Sequence, residues 1–124
     1  MTGLRLKRAS FTIRTKVFDR CDDRGRPLYR PALEVVSGEV FTWLGSKWGI
    51  YRKEHTADRR RKNDYVMVDL ATGLSILIDS RKIAILEYLA VSSTQHEAKR
   101  YLQDKARQKK VEEFERLKGA TYAK

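Results

Sequence analysis

Cysteine and proline are scarce in this chain, and no apolar run is long. Among its 124 residues there are one cysteine, Cys21, and two prolines. A single cysteine excludes an internal disulfide framework and is typical of a reducing compartment, so we expect a cytoplasmic protein. The longest apolar stretch, residues 83–91, is interrupted by Glu87 and is shorter than the roughly 20 residues that a membrane span needs. No long apolar segment follows the first residues, which argues against a secretory signal.

Acidic residues are also few relative to basic ones. The chain has 27 Lys and Arg against 16 Asp and Glu, a formal net charge of +11 at pH 7. Residues 1–30 carry +6, residues 52–62 carry +4 and residues 94–124 carry +4, whereas the two intervening segments are slightly negative. This distribution predicts a neutral core with basic edges, and it favours an anionic partner such as nucleic acid.

The first two thirds of the chain have the pattern of an antiparallel sheet. Residues 10–18 alternate between apolar and polar side chains, which is typical of a strand with one buried face. Further strands are predicted at 28–36, 40–44, 48–55, 65–70 and 74–78, with Pro31 favouring an edge position for its strand. We therefore expect a small antiparallel sheet of about four to six strands within residues 10–78.

The last third is helical in pattern. A helix is predicted at about 80–91, capped by Asp79 or Ser80, and a second at about 94–118, where Thr94 and Glu97 match a capping box. We expect the first part of the second helix to pack on the domain, and its part after Arg107 to project or to contact a partner. Gly119 is expected to end it, leaving residues 119–124 frayed. The predicted fold class is α+β, with residues 1–118 as a single basic domain.

Residues 56–64 lie between two predicted strands and include four consecutive cations, which predicts an Arg-rich hairpin tip. Guanidinium groups on such a tip suit phosphate oxygens because they donate a rigid pair of hydrogen bonds. Aromatic residues can stack on bases, but for Trp43 and Trp48 packing in the core is the favoured interpretation. The predicted contacts to nucleic acid or to a partner are Arg59, Arg60, Arg61, Lys62, Arg52, Lys53, Arg14 and Lys16.

Catalytic and metal-binding patterns are weak. Cys21, His55 and His96 lie far apart in the sequence without metal-ligand spacing, so no metal site, cofactor or enzymatic activity is predicted. One enzymatic alternative stays open: a metal-dependent nuclease that uses Asp69, Asp79 and Lys82. In the competing interpretation Asp69 begins a turn and Asp79 caps a helix.

One part of the chain resembles a known family. Residues 50–58 (IYRKEHTAD), residues 69–76 (DLATGLSI) and the helix start Ser80-Arg81-Lys82 are similar to segments of small phage-encoded Cas9-inhibitor (anti-CRISPR) proteins. The similarity covers about residues 50–89; this chain carries the additional residues Arg59–Lys62 and an N-terminal strand in place of that family's Arg-rich N-terminus. The resemblance implies a phage protein that acts in a bacterial cytoplasm and docks on a nucleoprotein effector.

The functional hypothesis is a non-enzymatic binding protein that engages nucleic acid or a nucleoprotein complex through the Arg-rich hairpin. Its most concrete form is an inhibitor of a Cas9-type effector with its guide RNA. The alternatives are the nuclease and a structural adaptor that binds an acidic protein through the C-terminal helix.

Overall fold

The computed structural model describes residues 4–53 and 64–122, with side chains described as far as Gly119. Five strands are followed by three helices: β1 (Lys7–Cys21), β2 (Pro27–Trp43), β3 (Ser46–Lys53), β4 (Asp64–Asp69), β5 (Leu74–Asp79), α1 (Lys82–Leu89), α2 (Ser92–Leu102) and α3 (Lys105–Tyr122). The strands form one sheet in the order of the chain, and each is antiparallel to the next. The predicted α+β fold, with its small antiparallel sheet, is confirmed.

Strand β2 is a single element where the sequence predicted two. Ser37 and Gly38 break its apolar pattern, yet the strand continues because β1 pairs with it from Pro27 to Val40. Leu44 and Gly45 then connect β2 to β3 with positive φ angles of 52° and 74°, as in the two-residue turn that tight hairpins favour. The strands predicted at 40–44 and 48–55 leave residues 45–47 as their connection, one residue later than the observed turn.

The sheet is curled, and two glycines permit this shape. The backbone N–H of Arg14 in β1 donates to the carbonyl of Gly73, at the turn between β4 and β5, over 2.9 Å. This bond connects β1, at one edge of the sheet, to the turn that precedes β5 at the other edge. A Cβ atom on Gly49 would lie 2.7 Å from the ring of Phe11, and one on Gly73 would lie 2.5 Å from the ring of Phe114. Both glycines thus allow an aromatic ring to rest directly on the backbone.

Apolar side chains are buried on both faces of this curled sheet. Phe11, Ile13, Tyr51, Val66 and Val68 fill the concave face. The other face packs against the helices through a second group, which consists of Phe41, Trp43, Trp48, Ile50, Met67, Ile85 and Leu89. Trp43 and Trp48 are buried in the core, as the sequence predicted. The alternation along each strand explains this arrangement, since successive side chains point to opposite faces.

The helices differ from prediction at their boundaries. The single helix predicted at about 94–118 is two helices in the structure. Helix α2 ends at Leu102, and the Asp104 carboxylate then accepts a hydrogen bond from Ala106 N–H at the start of α3. The predicted capping box is wrong: α2 begins at Ser92, and Thr94 lies inside its first turn with a buried side chain.

Two further boundary predictions are also wrong. Asp79 does not cap α1 but accepts from Arg81 N–H in the turn before it, and Arg81 occupies the N-cap position. Helix α3 continues through Gly119 to Tyr122, because Gly119 does not take the positive φ angle that commonly ends a helix.

Candidate nucleic-acid interface

The candidate interface is a polar groove at one end of the concave face. It has a volume of about 630 Å³ and lies between β1, β2, β3 and β5. Its wall carries the polar side chains of Thr15, Glu34, Ser37 and Ser75, and the core residue Tyr51 also lines it. The groove forms here because β1 and β2 run on past the end of β3. Such a concavity offers hydrogen-bonding groups at a surface that an extended polymer can reach.

Three predicted contact residues line this groove, namely Arg14, Arg52 and Lys53. Arg52 and Lys53 end strand β3, line the groove and have exposed side chains. Lys53 pairs with Asp64, the first residue of β4, so the two described residues that flank segment 54–63 are neighbours across the β3–β4 pair. Arg59, Arg60, Arg61 and Lys62 belong to that segment and lie outside the described residues.

Arg14 has a different role from the one that the sequence predicted. Its side chain is only 11% exposed, so the prediction that it lies on a solvent-facing strand surface is wrong. Its Nε donates to Thr72 O at 2.6 Å, one terminal nitrogen donates to the Glu113 carboxylate at 2.7 Å, and the other donates to Lys110 O at 2.5 Å. The guanidinium thus joins β1 to the β4–β5 turn and to α3, and its donors are occupied within the chain.

Lys16 lies near Arg14 in sequence but outside the groove. It is exposed, and it pairs with Pro31 on the part of β2 that extends beyond β3. The structure therefore brings Arg52 and Lys53 together at the groove, places Lys16 on the neighbouring extension of β1 and β2, and uses Arg14 internally.

Glu34 opposes anion binding at one wall of the groove. Burial and, to a smaller extent, the negative charge of Glu34 raise the pKa of Tyr51 above the ordinary tyrosine value. This phenol therefore stays neutral at physiological pH. Phosphate groups are therefore better accommodated at the rim formed by Arg52 and Lys53 than at the floor beside Glu34.

A second concavity, between the sheet and the first two helices, has a different chemistry. It measures about 240 Å³ and is lined mainly by apolar side chains, including Trp43, Trp48 and Tyr101. Among the described residues that line it, Glu97 supplies the one carboxylate and none is basic. An apolar cavity with an acidic wall does not suit a phosphate ligand.

The three residues of the nuclease alternative do not form a site. Asp69 pairs with Leu74 at one end of the β4–β5 hairpin, and Asp79 pairs with Tyr65 at the other end. This separation is about four residues, roughly 13 Å along a strand, whereas two-metal chemistry needs ligands around ions about 4 Å apart. Lys82 forms an ion pair with Glu39. Within residues 4–53 and 64–119, no group of three His, Cys, Asp or Glu side chains could hold a metal ion.

Asp69 instead organises the contact between the sheet and the helices. Its carboxylate is completely buried and accepts hydrogen bonds from Tyr101 Oη at 2.7 Å, Arg107 Nε at 2.9 Å and Ala71 N–H at 3.1 Å. Its carbonyl accepts from Gly73 N–H, as expected for a residue that begins a turn. Sequence reasoning identified that turn but missed Tyr101 and Arg107, which lie more than thirty residues further along the chain.

Helix α3 packs on the protein in the part that was expected to project. Phe114 is buried beside Gly73, and Arg14 holds both Lys110 and Glu113. The adaptor alternative would therefore have to use the opposite side of this helix.

Outside segment 54–63 and the two termini, the structure contains no helix long and apolar enough to cross a membrane. The chain matches no family model, no curated protein and no solved structure.

Proposed function

We propose that this protein is a non-catalytic binding module that engages nucleic acid, free or within a nucleoprotein complex, at the polar groove and the basic segment 52–62. One observation carries the proposal: Lys53 lines the groove and pairs with Asp64, so the two described residues that flank the segment with four consecutive cations are neighbours beside the groove. Cations attached at the edge of a polar groove suit a phosphate backbone.

The distribution of charge along the chain supports this location. Helix α3 is rich in lysine and arginine, but Arg107 is paired with Asp69, Lys110 with Glu113 and Lys118 with Glu115. In the sequence, residues 52–62 hold six cations against two carboxylates, a net charge of +4 within eleven positions. The positive potential of the +11 protein is therefore expected to be strongest on the side of the groove.

The test is charge reversal of the segment. The triple variant Arg59→Glu, Arg60→Glu, Arg61→Glu is expected to lose most of its affinity for a fluorescent oligonucleotide. The slope of log K against log salt should fall in magnitude by about 3, since each lost phosphate contact removes about one counterion from the balance. Fluorescence anisotropy over a salt series measures both quantities.

A matched control separates location from net charge. The exposed cations Lys105, Lys109 and Arg116 on α3 can be changed to Glu with the same change in net charge. This control is expected to retain most of the affinity. Equal losses in both variants, or unchanged binding in the Arg59–Arg61 variant, would show that the groove and segment 52–62 are not the binding site.

The narrower form of the proposal is that the nucleoprotein is a Cas9-type effector with its guide RNA, and the support for it is the sequence resemblance over residues 50–89. The wild-type protein should then inhibit DNA cleavage by such an effector, and the Arg59–Arg61 variant should not. Oligonucleotide binding without inhibition would reject this partner and keep the broader proposal.

A further inference from the structure

The β1–β2 hairpin extends beyond the rest of the sheet as a two-stranded ribbon, residues 15–32. Strand β3 pairs with β2 only from Gly38 to Trp43, and in the described part of the chain the segment Pro27–Ser37 pairs with β1 alone. Seven residues of β1, from Thr15 to Cys21, correspond to about 20 Å of strand. The ribbon adjoins the groove, because Thr15 at its base lines the groove wall.

A pair of exposed aromatic rings stands on one face of this ribbon. Phe18 and Tyr29 are directly opposite each other in the β1–β2 register, and their ring centroids are 6.4 Å apart in an edge-to-face arrangement. Their residues are 59% and 58% exposed. Single exposed apolar side chains scattered over a surface need no explanation. Two large exposed rings in contact with each other form an apolar patch, which is a candidate interaction site.

One cation shares the face of these rings, and two more lie on the other face of the ribbon. Lys16 lies two residues before Phe18 on the same strand face, and Arg30 and Arg20 lie on the opposite face, paired with Val17 and Leu28. The three acidic residues of the ribbon leave it with a net charge of +2. The Asp22 carboxylate among them is occupied at the tip, where it accepts from the backbone N–H groups of Arg24 and Arg26 and from Arg26 Nε.

Addition of a further strand to the ribbon is disfavoured by Pro31. The N–H of Arg14 points to Gly73 and therefore away from β2, and alternate residues of a strand point the same way, so the N–H of Lys16 also points away. Pro31 is paired with Lys16, so its backbone nitrogen faces the open side of β2. A proline nitrogen carries no hydrogen that it could donate there. A proline at this position interrupts the row of donors that an added strand would need.

We propose that Phe18 and Tyr29 form a stacking platform for the unpaired bases of single-stranded nucleic acid, with Lys16 contacting the phosphate backbone beside them. The inference rests on the proposed function and deepens it by naming the form of nucleic acid. Bases stack on exposed aromatic rings with little sequence preference, and the adjacent cation binds phosphate. A duplex offers no such surface, because its bases already stack on one another.

The experiment compares strandedness. Fluorescence anisotropy measures binding of a mixed-sequence single-stranded oligonucleotide and of the duplex of the same sequence to the full-length protein. In the double variant Phe18→Ala, Tyr29→Ala the affinity for the single strand should fall at least about tenfold. Affinity for the duplex should stay within about twofold, and the salt slope should not change because no charge is removed.

Three controls define what the rings do. The exchange Phe18→Tyr, Tyr29→Phe keeps both flat rings and should restore binding of the single strand. Phe18→Leu, Tyr29→Leu keeps apolar bulk without a π face and should behave like the alanine variant. The change Ile83→Ala removes an exposed apolar side chain of α1, which does not line the groove, and should have no effect. Thermal unfolding verifies that each variant is folded.

The outcomes separate the platform from the proposed function. Equal loss of single-strand and duplex binding would overturn base stacking, as would rescue by the leucine variant. Unchanged single-strand binding in the alanine variant would overturn the platform while the groove proposal stands. A wild-type protein that binds neither oligonucleotide would overturn the platform and would also reject binding of free nucleic acid at the groove.

Discussion

Asp69 shows how much of this fold depends on a single side chain. The residue ends β4, where its neighbours Met67 and Val68 are completely buried, and its carboxylate lies at the same depth. A buried charge is costly unless opposite charge and hydrogen bonds compensate it, and here Arg107, Tyr101 and Ala71 N–H do so together. The residue therefore stabilises the junction of the sheet with α2 and α3.

Removal of this charge should destabilise the protein strongly. In Asp69→Asn, the guanidinium of Arg107 is left mostly buried without its counter-charge, and we expect a loss of about 3 kcal/mol in the free energy of unfolding. Urea titration measures the loss. The control Asp79→Asn removes a charge from a carboxylate that accepts one backbone N–H in the turn before α1, and should cost about 1 kcal/mol or less. Similar losses in the two variants would contradict the role given to Asp69.

At the scale of the element, α3 is held by contacts that come from distant strands. Arg14 bonds to Lys110 O and to Glu113, and Phe114 rests on Gly73 with the Arg14 guanidinium 5.5 Å from its ring centre. Helix α3 is rich in charged residues and has few apolar residues. Its helix propensity therefore does not fix where it packs, and tertiary contacts must do so. Its location therefore depends on contacts with β1 and with the β4–β5 hairpin.

The variant Arg14→Lys tests this dependence. Lysine keeps the charge but cannot supply the planar set of donors that reaches Thr72 O, Lys110 O and Glu113 at once. We expect backbone amides of α3 to exchange with solvent about tenfold faster, while amides of β3 and β4 change little. Hydrogen exchange followed by mass spectrometry gives this comparison. The neighbouring substitution Lys16→Ala should leave α3 unaffected, and unchanged exchange in Arg14→Lys would show that α3 is held by other contacts.

At the scale of the whole molecule, Tyr101 connects the pH dependence of stability to the packing of helices on the sheet. Burial, followed by the hydrogen bond to Asp69, raises the pKa of Tyr101 from 10.0 to about 12. The folded protein thus favours the protonated phenol more than the unfolded chain does. The resulting stability is fully present below pH 10 and is lost as the pH rises through about 12.

A comparison with Tyr101→Phe isolates this contribution from other groups that titrate at high pH. The wild-type protein should exceed the variant in the free energy of unfolding by a constant amount up to pH 10. That excess should shrink between pH 10 and about 12, as measured by urea titration at each pH. A difference that does not change over this range would show that the Tyr101 hydroxyl is not held as described.

Several features of the fold follow from local patterns alone. Alternation in residues 10–18 was enough to place β1, because the period of two is a property of a strand with one buried face, and the composition of residues 65–70 was enough to place β4. The turn at Leu44–Gly45 followed from a glycine between two apolar strands. Helix boundaries were less accurate, since Thr94 has the residue type of a cap but lies inside α2.

The candidate site was only partly accessible to such patterns. Arg52 and Lys53 were found because charge is visible in the sequence, and they do lie at the groove. Arg14 was misassigned because strand alternation gives the side on which a residue lies but not what packs against that side. Only the return of the chain through α3, almost one hundred residues later, supplies Glu113 as its partner.

By itself, the sequence determined the antiparallel sheet, the order of strands before helices and the places where positive charge is concentrated, because each depends on residues that are close together in the chain. The tertiary structure alone decided which of these side chains are available to a partner. Phe11 and Phe18 are aromatic residues of the same strand, yet Phe11 is covered by the curled sheet and Phe18 stands where β2 is the only described neighbour of β1. Burial depends on the elements that reach a position from elsewhere in the chain, and no local pattern records them.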